Sequence, residues 1–172
     1  MDELQKKLCD DSLITLAHVM QPADANPAGN VHGGVIMKLI DNAAGVAAAR
    51  HARANVVTAS IDRLDFHNPV YVGDLVTLMA SINLTGRTSM EVGVRVESEN
   101  LLTGARRHTA SAYLTFVALD PAGKPHPIPQ LVAVTDDQKR RQNEAEERRA
   151  ARLAEKARSR EKAAPPKPNQ PA

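Results

Sequence analysis

One stretch of small residues constrains the fold of this chain more than any other feature. It runs from Gly33 to about His51 and would form a helix about 28 Å long at ~1.5 Å per residue. Its second half consists almost entirely of alanine and glycine, at positions Ala43, Ala44, Gly45, Ala47, Ala48 and Ala49. Because side chains this small let a β-sheet approach the helix closely, we predict a long helix with a sheet packed against it.

The rest of the chain up to Leu119 is typical of strands. Apolar residues alternate with polar ones, and turn residues separate the segments at intervals of 10–15 residues. The predicted strands are Val56 to Phe66, Leu75 to Thr85, Ser89 to Glu99 and Arg106 to Leu119, preceded by a strand, or a short helix leading into one, within Ser12 to Met20. Hairpin spacing predicts an antiparallel sheet, so the fold class is α+β with the sheet covering one long helix.

Composition narrows the class of protein. Hydrophobic residues make up 42% of the chain and aromatic residues only 2%, so the core must be aliphatic. The single cysteine, Cys9, excludes an intrachain disulfide and fits a cytoplasmic location. The segment Met1 to Lys7 lacks the apolar core of a secretion signal, and no apolar run approaches the ~18 residues of a membrane span. We therefore expect a cytoplasmic protein with no membrane contact and no metal site.

The charge of the chain is concentrated at its C-terminus. From Asp136 onward eleven Lys and Arg stand against seven Asp and Glu, a balance of +4, whereas the preceding part carries about −2. The basic pI therefore gives no reason to expect a nucleic-acid-binding core. We predict a domain over 1–130 and a charged tail over 131–172, helical from Thr135 to Lys162 but solvated, since its apolar residues are almost all alanine, and disordered from Ala164 to Pro171. A partner-binding or RNA-binding arm is the alternative for this tail.

The start of the predicted helix suggests chemistry. A helix begins with unpaired backbone N–H groups and a partial positive charge, and glycines such as Gly33 and Gly34 let a ligand approach them. Asp41, the only acid of the helix, follows Gly34 by seven residues and so lies two turns further along the same face. This pattern predicts an oxyanion-binding helix start with an acid or base beside it.

These residues closely resemble the hotdog-fold acyl-CoA thioesterases, and most of all the bacterial YciA type and the cytosolic acyl-CoA hydrolases of animals. The resemblance covers about residues 10 to 130 and is carried by five stretches: Asp24 to Gly34, Met37 to Asp41, Ala48 to His51, Val57 to Ser60 and Asp65 to Val70. The tail beyond Pro129 is not part of it.

The resemblance implies a fold, an assembly and a set of roles. In hotdog proteins the sheet wraps the long helix, and two subunits pair edge to edge, with the active sites at their interface. It implies a homo-oligomer, a dimer at minimum and a hexamer built from three dimers. It assigns catalysis to Asp41 as base or nucleophile, to Asn26 acting from across the interface, and to Gly33 and Gly34 as N–H donors to the thioester carbonyl.

The chemistry of thioester hydrolysis calls for these groups. Negative charge develops on the carbonyl oxygen, which preorganised N–H donors at a helix start can stabilise. A carboxylate such as Asp41 can activate water, or attack directly and form an anhydride, and the sequence leaves both routes open. The amide of Asn26 can orient the water or the carbonyl with its one donor group and one acceptor group.

Coenzyme A is part of the substrate, so we expect no separate cofactor. Its phosphates predict basic and hydroxyl partners, for which the candidates at the two β-turns are Arg87, Thr88, Ser89, Arg106 and Arg107. On the strand after the helix, Thr58, Ala59 and Ser60 are predicted to bond the pantetheine amides. His32 is expected to orient the loop beside the substrate rather than to react.

Two other functions share parts of this pattern. A hotdog hydratase or dehydratase would use a histidine with an acid, as His32 and Asp41 could provide. A non-catalytic acyl-CoA-binding module would keep the site without turnover. The acyl chain length is set by pocket depth, which no motif in the sequence predicts.

Overall fold

A computed structural model describes residues 5–163 of the chain. Helix α1, Gly33–Ala52, packs against a five-stranded antiparallel sheet in which the strand order is β2-β4-β5-β6-β3. These strands are β2 Ile14–Val19, β3 Asn55–Phe66, β4 Leu75–Thr85, β5 Ser89–Glu99 and β6 Arg106–Leu119. Two three-residue strands, β1 Lys6–Leu8 and β7 Gln130–Val132, pair in parallel, and helix α2, Asp136–Ala163, follows them. The predicted α+β hotdog architecture is confirmed.

Alternation along the strands places the core. In β5 the side chains of Val92, Val94 and Val96 are buried, and the buried residues of β4 and β6 line up with them across the sheet. Against this aliphatic face lie Ala43, Ala44, Ala47 and Ala48 of α1, which have no exposed surface at all. The small side chains therefore let the helix lie close to the sheet.

The side chains of β3 do not keep to the two faces that strict alternation along its sequence predicts. Pairing with β6 shifts register between Thr58 and Ser60, and again between Ile61 and Leu64. Because a β-bulge inserts an unpaired residue, it changes which face the following side chains occupy. Thr58 consequently faces α1, whereas Ser60 and Asp62 line a cavity on the other side of the sheet.

Helix α2 is not the solvated extension that its composition predicts. It lies on the sheet face opposite α1, where Ala145 is fully buried and Gln138 is 7% exposed. Its contacts are mostly polar: Gln138 donates to Asp10 and Arg141 donates to Ser81. The expectation of solvation was wrong because it counted only apolar side chains. The predicted disorder of Ala164 to Pro171 lies outside the described residues.

The two outermost strands of the five-stranded sheet are β2 and β3. Several exposed apolar side chains belong to β3 and α1: Val57, Ile61 and Phe66 on the strand and Met37 and Val46 on the helix are each 40–48% exposed. Within residues 5–163, no helix has the length and apolar character needed to cross a membrane, and no cluster of side chains suits a metal ion.

Candidate active site

The start of α1 is capped by a histidine. His32 has extended backbone angles and its Nδ1 accepts a hydrogen bond of 3.0 Å from the N–H of Gly34. An accepting Nδ1 means that the neutral ring carries its hydrogen on Nε2. A Cβ on Gly34 would lie 3.2 Å from that same Nδ1, a tight contact that would require the histidine ring to shift. His32 thus orients the helix start, as expected of it, and occupies one of the two donors that the sequence assigns to an oxyanion.

The other predicted donor is available. The N–H of Gly33 has no acceptor among residues 5–163, because the first N–H groups of a helix have no intrahelical partner. The ring of Phe66 lies beside this glycine, 3.6 Å from where its Cβ would be. The helix start therefore presents one free backbone donor next to an exposed aromatic ring of β3.

Asp41 lies further along α1 and is held by Thr58. The hydroxyl of Thr58 donates to Oδ1 of Asp41 over 2.7 Å, which joins the helix to the edge strand. No other hydrogen bond to this carboxylate is present in the described part of the chain, so Oδ2 is left for water or substrate. The carboxylate is half-buried. This contact is the one that sequence reasoning missed, since Thr58 was expected to bind pantetheine.

The helix start and Asp41 are not beside each other. Seven residues separate Gly34 from Asp41, which is about 10 Å along the axis at ~1.5 Å per residue. Reacting atoms must come within about 3–3.5 Å of each other. One helix therefore cannot offer both its N–H donors and its carboxylate to the same thioester group, and the predicted adjacency of these groups within one chain is wrong.

Asn26 lies in a loop that its own side chain organises. Its Oδ1 accepts from the N–H groups of Ala28 and Asn30 at 2.9 and 3.3 Å, and its backbone N–H donates to the carbonyl of Asn30 at 2.7 Å. Its Nδ2 has no acceptor within the described residues. No hydrogen bond there joins Asn26 to Asp41, so the structure of one chain does not bring these two predicted catalytic residues together.

The candidate coenzyme A residues fall into two separate groups. Arg87, Thr88 and Ser89 form the β4–β5 turn, at the end of the sheet where Thr58 lies, because Met90 and Thr58 both pair with the same residue of β6. Arg106 and Arg107 lie at the opposite end of β5, roughly 30 Å away at about 3.4 Å per residue.

Arg106 is also engaged, since its Nε lies 2.9 Å from the carboxylate of Glu99. The two candidate turns therefore do not line one path in a single chain.

The largest cavity described for this chain does not include Asp41 in its lining. Ala59, Ser60 and Ser89 line a cavity of about 680 Å³ between the sheet and α2, on the face that α1 does not cover. Asp41 instead lies at the open margin between α1 and β3, beside the exposed apolar residues described above. The site is thus open at the edge of the sheet.

Comparison with known proteins gives consistent findings. Residues 28–105 match the family model described as thioesterase superfamily. The chain is 41% identical over 136 residues to the cytosolic acyl coenzyme A thioester hydrolase of Mus musculus, covering 78% of this chain and 36% of that protein. It is 40% identical to the uncharacterized acyl-CoA thioester hydrolase YkhA of Bacillus subtilis, covering 80% of each. The chain thus spans about a third of the mammalian relative and most of the bacterial one.

Solved structures agree over most of the chain. A crystal structure of an apo-hexameric acyl-CoA thioesterase superposes with a TM-score of 0.87 at 42% identity, covering 90% of this chain and 99% of that one. An acyl-CoA hydrolase from Staphylococcus aureus, in complex with butyryl coenzyme A and coenzyme A, gives 0.85 at 34% identity, covering 92% and 96%. Mutant structures of the latter enzyme replace an asparagine, an aspartate and a threonine by alanine, 15 and 17 positions apart in turn.

Proposed function

This chain belongs to the thioesterase superfamily, and from that premise we propose that it hydrolyses acyl-CoA thioesters to a carboxylic acid and free coenzyme A. The observation that carries the proposal is the hydrogen bond between Thr58 and Asp41. Asn26, Asp41 and Thr58 are 15 and 17 positions apart, the same spacing as the three substituted residues of the S. aureus enzyme, which supports a shared set of roles.

The proposed reaction uses the two oxygens of Asp41 differently. Thr58 fixes Oδ1 and so orients the carboxylate, while Oδ2 takes a proton from a water whose oxygen bonds to the thioester carbon. The carbon–sulfur bond then breaks, and the coenzyme A thiolate leaves and takes a proton. Direct attack by Oδ2, with a mixed anhydride that water hydrolyses, uses the same geometry and remains the alternative.

The oxyanion donors are proposed to come from a second subunit. The helical rise keeps Gly33 and Gly34 about 10 Å or more from Asp41 of their own chain, so a partner must supply them if they act on the same thioester. The free N–H of Gly33 is the first donor, and Nδ2 of the partner's Asn26 is available in the same way. Pairing of two β3 edges would bury the exposed apolar residues and bring these groups together.

The assembly and location are inferred from similar proteins. The apo-hexameric thioesterase and the hexameric thioesterase of Yersinia pestis support a hexamer built from three dimers. The mammalian relatives, named as cytosolic, support a cytoplasmic location. Coenzyme A enters as part of the substrate, and the β4–β5 turn of Arg87, Thr88 and Ser89 is the better placed of the two candidate turns for its phosphates, since it lies at the Thr58 end of the sheet.

A thiol-release assay across acyl-CoAs of increasing chain length tests the proposal. Asp41→Asn should lower kcat by about 10²–10⁴-fold, the usual contribution of a positioned base. Asn42→Ala, on the exposed neighbouring position of α1, is the control and should remain near wild type. A folded, oligomeric Asp41→Asn enzyme with near-wild-type hydrolysis would exclude the role, and a change in enoyl absorbance without thiol release would indicate a hydratase instead.

Subunit mixing tests whether the site is shared. Asn26→Ala and Asp41→Asn proteins are each expected to be impaired, but a mixed dimer contains one site with both residues intact. We expect the mixture to recover up to a quarter of the wild-type rate, because half of the dimers are mixed and each has one intact site. Absence of recovery in heterodimers isolated with two affinity tags would place both residues in one subunit's site.

A further inference from the structure

Helix α2 is fastened across the outer face of the sheet by a row of arginines. Arg141 donates to Ser81 at 3.1 Å, and Arg148 binds the carboxylate of Glu91 at 2.7 Å. These positions, together with Arg152, are related by seven and eleven residues and therefore lie on one face of the helix. The row crosses the sheet from β4 toward the edge strand β3.

The middle of this row is buried. The side chain of Glu91 is only 1% exposed, and the guanidinium of Arg148 lies 3.7 Å from the ring centre of Tyr113 on β6. A carboxylate this deeply buried must be paired to remain charged. Glu91 and Arg148 therefore fix where α2 lies, and with it the position of the next arginine on the same face.

Arg152 is the last of the row and reaches β3. Its Nη1 hydrogen-bonds Oδ2 of Asp62, and the same atom lies 3.2 Å from Oε2 of Glu91. Both partners are largely shielded, since Arg152 is 24% and Asp62 is 15% exposed. An ion pair held in this way on a rigid helix can fix the strand that carries Asp62.

The strand is irregular where the arginine holds it. Asp62 lies inside the second register shift of β3, between Ile61 and Leu64, and the first shift follows Thr58, so residues 59, 62 and 63 have no partner in the pairing with β6. Thr58 is the last regularly paired residue before this stretch, and it is the residue that binds Asp41. The regular pairing of β3 with β6 is thus first interrupted directly after the residue that orients the carboxylate.

We propose that Arg152 is a positioning residue for Asp41, acting through Asp62 and the irregular stretch of β3 that begins after Thr58. This inference rests on the proposed thioesterase function. If the tether is lost, Thr58 moves relative to α1, and the hydroxyl no longer holds Oδ1 at 2.7 Å. A misplacement of about 1 Å near reacting groups can cost up to 10²-fold in rate, so a partial shift should cost about tenfold.

The first experiment compares Arg152→Met with Arg140→Met in the oligomeric enzyme. Both variants remove one positive charge from α2, but within the described part of the chain Arg140 pairs only inside that helix, with Asp137 and Glu144. Arg152→Met should lower kcat about tenfold and leave KM within twofold, whereas Arg140→Met should leave both unchanged. Arg152→Lys retains the charge and should recover most of kcat. Asp62→Asn, a milder change, should lower kcat several-fold if Arg152→Met does not fold.

A double-mutant cycle distinguishes positioning from general stability. If Arg152 acts through Thr58, Arg152→Met should have no further effect on kcat in a Thr58→Val background. An equal fall in both backgrounds, a change confined to KM, or a kcat that follows only the loss of oligomer would overturn the inference while leaving the proposed function intact. Failure of the wild-type enzyme to release thiol from any acyl-CoA would instead overturn both.

Discussion

The two faces of the sheet are covered by helices of opposite chemistry. On the inner face α1 contributes fully buried alanines, which pack against aliphatic strand residues such as Val92 and Leu114. On the outer face α2 contributes arginines, which bind the buried carboxylate of Glu91 and the ring of Tyr113. Close packing and apolar burial hold α1, whereas specific charged contacts hold α2. Substitutions on the two faces should therefore change the free energy of unfolding in different ways.

The largest expected effect is on the inner face. Leu114 is fully buried in the centre of β6, and Leu114→Ala removes apolar volume that the close-packed neighbours cannot refill. We expect the free energy of unfolding to fall by about 2–5 kcal/mol. Leu102→Ala, at a position that is 97% exposed, should change it by less than about 0.5 kcal/mol. Urea unfolding at fixed protein concentration measures both, and similar values for the two variants would contradict a packed inner face.

The outer face should show a smaller effect that a second substitution can reverse. Glu91→Leu leaves Arg148 without its carboxylate, and breaking a largely buried pair costs about 3 kcal/mol. Adding Arg148→Met removes the stranded charge, so the double variant should return close to the stability of the wild type.

A double variant as unstable as Glu91→Leu alone would mean that the loss in the single variant does not come from the unpaired charge of Arg148. On the inner face no such recovery is expected, because a second truncation there enlarges the cavity.

The difference between the two faces also explains which parts of the fold could be predicted from the sequence. Strong alternation, as in Val92, Val94 and Val96, predicted the strands and the inner face correctly. The docking of α2 was missed because arginines on one helix face indicate solvent exposure unless their partners are known. Glu91 and Asp62 lie 50 or more residues away in sequence, and nothing in their local pattern identifies them as partners.

Other misses have equally local causes. Strands β1 and β7 pair with each other although they lie far apart in the sequence. Each is only three residues long, which is too short to show a periodic pattern of apolar residues. Asp41 and Thr58 were both named as site residues, but a contact between helix and strand depends on the bulge after Thr58, which alternation alone does not predict.

The smallest expected effect is the change in the free energy of unfolding with pH, which should also differ between the two faces of the sheet. His51, near the end of α1, is fully buried; its Nε2 lies 3.0 Å from the carbonyl of Pro129 and its Nδ1 lies 3.1 Å from the hydroxyl of Ser12. A carbonyl can only accept, so Nε2 carries the hydrogen, and in the neutral ring Nδ1 accepts from the hydroxyl of Ser12. Burial lowers the pKa of His51 below 6.5, whereas the pKa of Arg148 is raised: burial lowers it, but the hydrogen bonds and charge of Glu91 outweigh that effect.

The sign of the pH dependence follows from the lowered pKa of His51. Between its folded and unfolded pKa values the unfolded chain binds more protons, so the free energy of unfolding falls as the pH drops below about 6.5 and stops falling below the folded pKa. His51→Gln removes this titration, so its unfolding free energy should vary less than that of the wild type between pH 7.5 and 5. Glu91→Leu should leave the wild-type slope unchanged over the same range, because Arg148 stays charged throughout. If His51→Gln unfolds with the same pH dependence as the wild type, the acid sensitivity belongs to groups other than this buried ring.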